Sequence, residues 1–256
     1  MFGPVCHVIQ YDRAALPALI DQINALGFGL TMGLHTRSDA TIEMVKRKAA
    51  VGNLYINRNQ VGAVVGVQPF GGEGLSGTGP KAGGPLYLYR LLAQRPDTEI
   101  NRIITPALNN GIDLKGPTGE HNQYRCAARA HILCLADDSE DLMAQTRAVL
   151  AIGGTPIWPT ERLELTGELA RDLVGQLIGC DDWAAPDARF DLVLLNGSKQ
   201  QALHVQQVLA RKTGAIVGLW RGEPGARQIP LERLVIERSV SNNTTASGGN
   251  TSLMRL

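Results

Sequence analysis

The 256 residues are enough for one large domain or two small ones, and either arrangement would bury a proper core. Hydrophobic residues make up 44% of the chain and charged residues 19%, which is ordinary for a soluble globular protein. The 25 basic and 24 acidic residues leave a formal net charge of +1, which excludes a broad electrostatic attraction to nucleic acid or to a membrane surface.

The four cysteines form no CxxC pair and have no histidine partner at metal-ligand spacing. Cys134 lies in the apolar run HILCLA and Cys6 in GPVCHVIQY, so we expect free, buried thiols and no metal site. The sequence shows no signal peptide and no apolar run near the ~20 residues of a membrane span. These features predict a cytoplasmic location.

The first part of the chain predicts alternating strands and helices, the pattern that builds a largely parallel sheet. The predicted elements are a strand at 5–11, a helix between Ala14 and Gly27, a strand at 30–36, a helix at 38–50 and a strand at 52–58.

A glycine-rich segment at residues 62–84, GAVVGVQPFGGEGLSGTGPKAGG, interrupts this alternation. It is either a linker or a folded loop whose backbone closely approaches another group. A flexible linker would be polar and rich in glycine and serine, whereas this segment contains Val64, Val65 and Phe70. The composition therefore favours a folded loop.

The second part begins at a predicted boundary near residue 95. PLYLYRLLAQ predicts a short helix or strand before it, and residues 93–125 are predicted to be mostly irregular. A second alternating series follows and predicts a doubly wound sheet. Its strands are predicted at 131–136, 155–158, 190–195, 215–220 and 231–237, and its helices at 137–150, 161–177 and 198–212.

Several motifs resemble the aldehyde dehydrogenase superfamily. FGPV at residues 2–5 and GNLYIN at 52–57 are similar to aldehyde dehydrogenase segments. Residues 61–92, VGAVVGVQPFGGEGLSGTGPKAGGPLYLYRLL, closely resemble the subfamily that oxidises L-glutamate γ-semialdehyde, the open form of Δ1-pyrroline-5-carboxylate.

Two later motifs indicate a particular family within this superfamily. GPTGEHNQY at 116–124 and ERSVSNNTTASGGNTSLMRL at 237–256 resemble the C-terminal part of the proline utilization A family. Its bifunctional members join proline dehydrogenase to this aldehyde dehydrogenase. The resemblance covers most of the chain and is weak between residues 93 and 115.

The resemblance implies an α/β fold in which the end of an aldehyde dehydrogenase catalytic lobe is followed by a Rossmann-like doubly wound domain. Residues 1–95 would form the lobe with its substrate-anchoring loop, residues 96–240 the Rossmann-like domain, and residues 241–256 a terminal lid. In the family this domain serves as a cover, and the tail closes a channel between two active sites. The alternative for the tail is a disordered terminus, but the apolar Leu253 and Met254 favour docking.

The resemblance also implies site residues. The substrate carries a carboxylate, and consecutive backbone N–H groups in a glycine-containing turn form an anion-binding nest. Gly62 and Ala63 match the family positions that bind this carboxylate, Phe70 would form an apolar wall beside the aldehyde chain, and Phe2 would lie beside the nicotinamide ribose. From the residues alone, a merely well-packed loop is an equal alternative.

The reacting groups are expected outside this sequence. Aldehyde oxidation needs a thiolate nucleophile, an oxyanion hole and a general base, with NAD as hydride acceptor. In the family all of these precede the segment that begins here, and Cys6 matches a position other than the nucleophile. We therefore expect no catalytic residue in this chain, a start at a fragment boundary, and no activity of the chain alone.

Cofactors and partners follow from the same resemblance. The full-length protein would use NAD at the aldehyde dehydrogenase site and FAD in a proline dehydrogenase domain outside this chain. Residues 126–240 contain no GxGxxG between strand and helix, so no cofactor is expected to bind this chain alone.

The expected partners are the remainder of the polypeptide, a small-molecule substrate and further copies of the full-length protein, which would be cytoplasmic or peripheral at the inner membrane. No nucleic acid is expected to bind through this region. An alternative function is a stand-alone, non-catalytic module that covers a partner surface.

Overall fold

The computed structural model describes residues 3–77, 79–168 and 175–245. Its α-helices are Leu16–Ala25 (α1), Asp39–Lys48 (α2), Asp97–Asn109 (α3), Ser139–Ala151 (α4) and Lys199–Leu209 (α5). Short 3-10 helices lie at Arg13–Ala15, Leu88–Leu91, Thr160–Glu168 and Leu231–Arg233. The strands are Phe28–Gly29 (β1), Thr31–Leu34 (β2), Asn53–Ile56 (β3), Glu73–Gly74 (β4), Ile112–Leu114 (β5), Glu120–Ala128 (β6), His131–Ala136 (β7), Thr155–Pro159 (β8), Ile178–Cys180 (β9), Leu192–Asn196 (β10), Gly218–Gly222 (β11) and Val235–Asn243 (β12).

Five strands form a parallel sheet in the order β11-β10-β7-β8-β9. Side chains of alternate strand residues pack on opposite faces, because successive residues of a strand point in opposite directions. Ile132 and Leu194 pack with Leu142 of α4, whereas Leu133 and Val193 pack on the other side in the cluster that includes α5. This arrangement confirms the predicted doubly wound α/β unit.

Local sequence signals set the helix boundaries of this unit. Ser198 and Gln201 form a capping box at the start of α5, in which each side chain satisfies the backbone N–H of the other. Asp138 caps α4, and its side chain accepts a hydrogen bond from the Asp141 N–H at 3.1 Å. The predicted helices at 137–150 and 198–212 are therefore confirmed.

A second five-stranded sheet, here called the mixed sheet, has the order β2-β3-β12-β6-β5. β2, β3 and β12 are parallel to one another, and β6 is antiparallel to both β12 and β5. The prediction that residues 231–237 form a strand of the parallel sheet is wrong. Residues 231–233 are a 3-10 turn, and β12 then pairs with β6 over nine residue pairs and with β3.

Two sequence predictions are corrected by the structure. Residues 5–11 form no strand, because no neighbouring strand among the described residues offers their backbone a hydrogen-bonding partner; Cys6 is exposed there. The region 93–125 is not irregular, since it contains α3, β5 and most of β6. Pro106 inside α3 and the polar sequence of β6 obscured both patterns.

The mixed sheet contains strands from both sides of the division predicted at residue 95, so its hydrogen bonds cross that boundary. Of the predicted lid at 241–256, the first three residues end β12, and Thr244 donates its N–H to the Gly119 carbonyl at 2.9 Å. Residues 246–256 lie outside the described part of the chain. Within the described residues, no helix has the length and apolar character needed to cross a membrane.

Candidate functional site

The glycine-rich segment after β3 is a folded loop, as its composition predicted. The Gly66 N–H bonds to the Gly83 carbonyl at 3.1 Å, and Phe70 and Ala82 exchange two backbone hydrogen bonds of 3.0 and 2.8 Å. These contacts tie the two arms of the segment together. Gly62 and Gly66 have φ values of 82° and 77°, which glycine adopts without the steric penalty of a side chain.

The predicted carboxylate-binding residues lie at the exposed start of this loop. The Val61 N–H bonds to the Asn59 side chain at 3.3 Å, and the Val64 N–H bonds to Gln68 Oε1 at 2.9 Å. Between them, the N–H groups of Gly62 and Ala63 have no hydrogen-bond partner among the described residues. A Cβ at Gly62 would have no atom within 4 Å, so the space beside it is open.

Phe70 and Phe2 stand differently. Phe70 is half-buried on the first arm of the same loop, where its backbone pairs with Ala82 on the returning arm. Phe2, proposed to lie beside the nicotinamide ribose, falls outside the residues that the structure describes. The loop therefore provides both an exposed pair of donors and a partly buried aromatic ring.

A buried polar network, here called the Gln68 network, fixes the loop to the mixed sheet. The Gln68 amide donates to Glu120 Oε1 and, at 3.2 Å, to Asn122 Oδ1, while Asn122 Nδ2 donates to Glu120 Oε1 at 2.9 Å. Arg58 donates to Glu120 Oε2 at 2.5 Å and to Ser241 Oγ at 2.7 Å. The network thus joins the three separate motifs at 61–92, 116–124 and 237–256.

A second network holds the returning arm of the loop. Lys81 is 2% exposed; its ammonium donates to Asn53 Oδ1 at 3.2 Å and to the Gly71 carbonyl. Its backbone N–H donates to Glu237 Oε1 at 3.3 Å, and Tyr124 donates its hydroxyl to Glu237 Oε2 at 2.8 Å. Backbone and side chain of one lysine therefore connect the loop to β3 and β12.

Burial dominates the electrostatics of this second network. It lowers the pKa of Lys81 to about 8, although the carboxylates of Glu237 and Glu73 favour the charged form. Burial likewise raises the pKa of Glu237, against the hydrogen bond from Tyr124. Both groups are held where the charged form is less favourable than it is in water.

Sequence reasoning did not single out Gln68, Glu120, Asn122 or Lys81. One signal was present: Asn122 shares its strand face with Tyr124 and Cys126, and all three are buried. A polar residue at an inward position needs a partner, because an unpaired buried polar group is costly. The identity of that partner, 54 residues earlier in the sequence, could not be inferred.

Several known proteins are similar to this chain in sequence. Residues 1–95 match the family model "Aldehyde dehydrogenase family". The bifunctional protein PutA of Escherichia coli (strain K12) is 44% identical over 305 aligned residues, which cover 100% of this chain and 23% of that protein. 1-Pyrroline-5-carboxylate dehydrogenase 2 of Bacillus subtilis (strain 168) is 46% identical over 91 residues, 34% of this chain and 17% of that protein.

A solved structure shows the same fold. Proline utilization A (PutA) from Corynebacterium freiburgense superposes with a TM-score of 0.60 at 23% sequence identity, covering 90% of this chain and 24% of that chain. Over residues 1–95 the chain is similar to the aldehyde dehydrogenase family. Over its whole length it aligns with part of the E. coli protein PutA, and it spans 23% of that relative.

The burial of Lys81 predicts a pH-dependent stability. Its pKa is about 8 in the folded chain against the ordinary 10.5, so between these pH values the unfolded chain binds more protons. Stability that the lysine contributes should therefore rise with pH in this window, by at most about 1.4 kcal/mol per pH unit. In urea unfolding at pH 8, 9 and 10, the unfolding free energy of wild type should rise relative to that of Lys81→Met. Lys115→Met, at an exposed lysine, is the control. A constant difference between wild type and Lys81→Met would contradict the assignment.

Proposed function

We propose that this chain is part of an NAD-dependent L-glutamate γ-semialdehyde (Δ1-pyrroline-5-carboxylate) dehydrogenase, within a bifunctional protein that converts proline to glutamate. The observation that carries the proposal is the adjacent pair of N–H groups at Gly62 and Ala63, which have no hydrogen-bond partner within the described part of the chain. They lie within the residues that match the aldehyde dehydrogenase family, and one relative is a 1-pyrroline-5-carboxylate dehydrogenase.

In this proposal the start of the loop binds the α-carboxylate of the substrate. Two adjacent backbone donors suit a carboxylate, because hydrogen bonds to a charged acceptor are stronger than neutral ones. Gln68 contributes by accepting the next N–H, that of Val64, and so fixes the backbone that follows the two donors. Phe70 supplies an apolar surface for the carbon chain of the aldehyde.

The oxidation itself is assigned to residues outside this sequence. A catalytic cysteine must form a thiolate, and burial raises the pKa of the Cys126 thiol to about 12. Burial also raises the pKa of Cys134 and of Cys180. Cys6 is exposed in an irregular segment, with no hydrogen bond to a base among the described residues. The described cysteines therefore do not support thiolate chemistry in this chain. The role we propose for the chain is substrate anchoring.

NAD does not fit the parallel-sheet unit. In a dinucleotide-binding fold, the pyrophosphate lies at the N-terminus of the helix that follows the first strand. Here Asp138 already caps that helix, α4, and Glu140 and Asp141 occupy its first turn. Their negative charges would repel a pyrophosphate, and the glycine fingerprint is absent. We infer that NAD binds elsewhere in the full-length protein and that this unit has a covering role.

Exposed apolar side chains support a larger assembly. Val8 is 90% exposed, Val65 81% and Leu91 72%. The part of the chain up to residue 92 carries most of the large exposed hydrophobic residues of the described structure. Surface of this kind is typical of a contact with another protein surface. We propose that the remainder of the polypeptide covers it.

The alternative is a stand-alone module that covers a partner without taking part in catalysis. It is favoured by the raised pKa of the Cys126, Cys134 and Cys180 thiols, which burial holds in the neutral form. One observation distinguishes the two functions. A reading frame extended upstream supplies a catalytic cysteine if the chain is part of the dehydrogenase, and supplies none if the chain is a stand-alone module.

The free donors predict a substrate-specific defect in the full-length protein. Gly62→Ala adds a side chain at φ 82° and should distort the donor pair, removing a charge-assisted hydrogen bond worth about 1.5–3 kcal/mol. We expect a roughly ten- to hundredfold loss in kcat/KM for the semialdehyde. Butanal, which has no carboxylate, should be oxidised at an unchanged rate.

Gly153→Ala is the matched control, since Gly153 has φ 83° and open space around its Cβ position but lies far from the loop in sequence. It should leave both substrates unaffected. Equal losses for the semialdehyde and butanal in Gly62→Ala would refute carboxylate binding at this position.

The purified 256-residue chain should produce no NADH from Δ1-pyrroline-5-carboxylate and NAD, because burial raises the pKa of the Cys126, Cys134 and Cys180 thiols and Cys6 is not hydrogen-bonded to a base among the described residues. The full-length protein, assayed in parallel, provides the positive control. Turnover by the chain well above background would show that the reacting groups lie within it.

A further inference from the structure

A cleft of about 280 Å³ lies between the glycine-rich loop and the parallel-sheet unit. Loop residues from Gly72 to Lys81 and the start of β12 line one wall. The segments that precede β10 and β11 line the other, on the amino side of the parallel strands. The acidic N-terminus of α4, which follows β7, lies at the carboxyl side of the same sheet. The cleft is therefore separate from the position that a dinucleotide would take.

The side chains that line this cleft carry more positive than negative charges. Its charged lining comprises five cations and three carboxylates, namely Lys81, Arg90, Arg129, Arg189 and Lys212 against Glu73, Asp191 and Glu237. Among the described residues, none of the five cations forms an ion pair within 4 Å.

The three carboxylates already accept hydrogen bonds. Arg238, which does not line the cleft, binds Glu73 through two bonds of 3.0 and 2.8 Å. Asp191 accepts from the His131 N–H at 2.9 Å, and Glu237 accepts from Tyr124 and from the Lys81 backbone. The cations, in contrast, contact carbonyl oxygens, as Arg129 does at Arg233.

Arg90 is the least satisfied of the cations. Its Nε is buried and has no hydrogen-bond partner among the described residues, and an η-nitrogen makes a long bond of 3.4 Å to the Glu232 carbonyl. Burial lowers the pKa of Arg90, and so do Arg129 and Arg95, against the carboxylates of Glu232 and Glu237, which favour the charged form. A buried guanidinium nitrogen without a partner is costly unless an acceptor meets it.

We propose that this cleft binds a phosphate-type dianion, either free phosphate or the terminal group of a small phosphate monoester. The excess of two positive charges among the lining side chains matches a dianion. Glycines in the loop wall let backbone approach a tetrahedral oxyanion closely, as in other phosphate sites. Bound there, the anion would connect Arg90 on one side to Lys212 on the other and so hold the loop against the parallel-sheet unit.

Calorimetry and thermal unfolding of the full chain test the proposal at constant ionic strength set with chloride. Inorganic phosphate should bind and raise the melting temperature, and glycerol 3-phosphate, compared with it, shows whether a monoester is preferred. Acetate, a monocarboxylate, should bind at least tenfold more weakly. A response to phosphate no larger than that to chloride, or equal binding of acetate, would overturn the proposal.

Variants separate binding at the cleft from general charge effects. Arg90→Gln should weaken phosphate binding at least tenfold, because it removes one of the cations that would meet the anion. Arg102→Gln, at an exposed arginine of α3, should bind phosphate like wild type. If Arg90→Gln fails to fold, Lys212→Gln replaces it with the same expectation. Equal weakening in the cleft variant and in Arg102→Gln would refute the site.

Discussion

The side-chain amide of Gln68 is the contact on which the site depends. Its oxygen accepts the Val64 N–H within the loop, and its nitrogen donates to Glu120 and Asn122 in the mixed sheet. One buried side chain therefore sets both the internal shape of the loop and its position on the sheet. Val64 is occupied in this way, whereas the adjacent N–H groups of Gly62 and Ala63 have no partner among the described residues.

The mixed sheet positions the hydrogen-bond partners of the Gln68 amide. β6 has to run beside β12 for Glu120 to meet both Arg58 and Gln68, and β12 in turn pairs with β3, from which Arg58 follows. A buried network of this kind is stable only when its members are satisfied, since a half-satisfied one leaves an uncompensated charge. The position of the loop therefore depends on the long, polar strands β6 and β12. The two later motifs, at 116–124 and 237–256, overlap these strands, so the same family resemblance is found in the loop and in both motifs.

Local signals were sufficient for much of the fold and for part of the site. The alternation of strands and helices predicted the doubly wound unit, and glycine chemistry together with a family resemblance pointed to Gly62 and Ala63. Strands β2 and β3 of the mixed sheet were predicted, but β6 was missed because its buried residues include Asn122, which a hydrophobic pattern does not detect. The cations of the cleft are scattered from Lys81 to Lys212, so only the folded chain brings them together.

The most direct measurement replaces Gln68 by leucine, which keeps the approximate size of the side chain and removes its amide, in the full-length protein. Gln123→Leu is the matched control, since Gln123 lies on the opposite face of β6 and bonds to the Asn110 carbonyl at an exposed position. The account predicts a loss of kcat/KM for the semialdehyde of about tenfold or more in Gln68→Leu, an unchanged KM for NAD, and wild-type kinetics in Gln123→Leu. A folded Gln68→Leu variant with wild-type kinetics for the semialdehyde would contradict it.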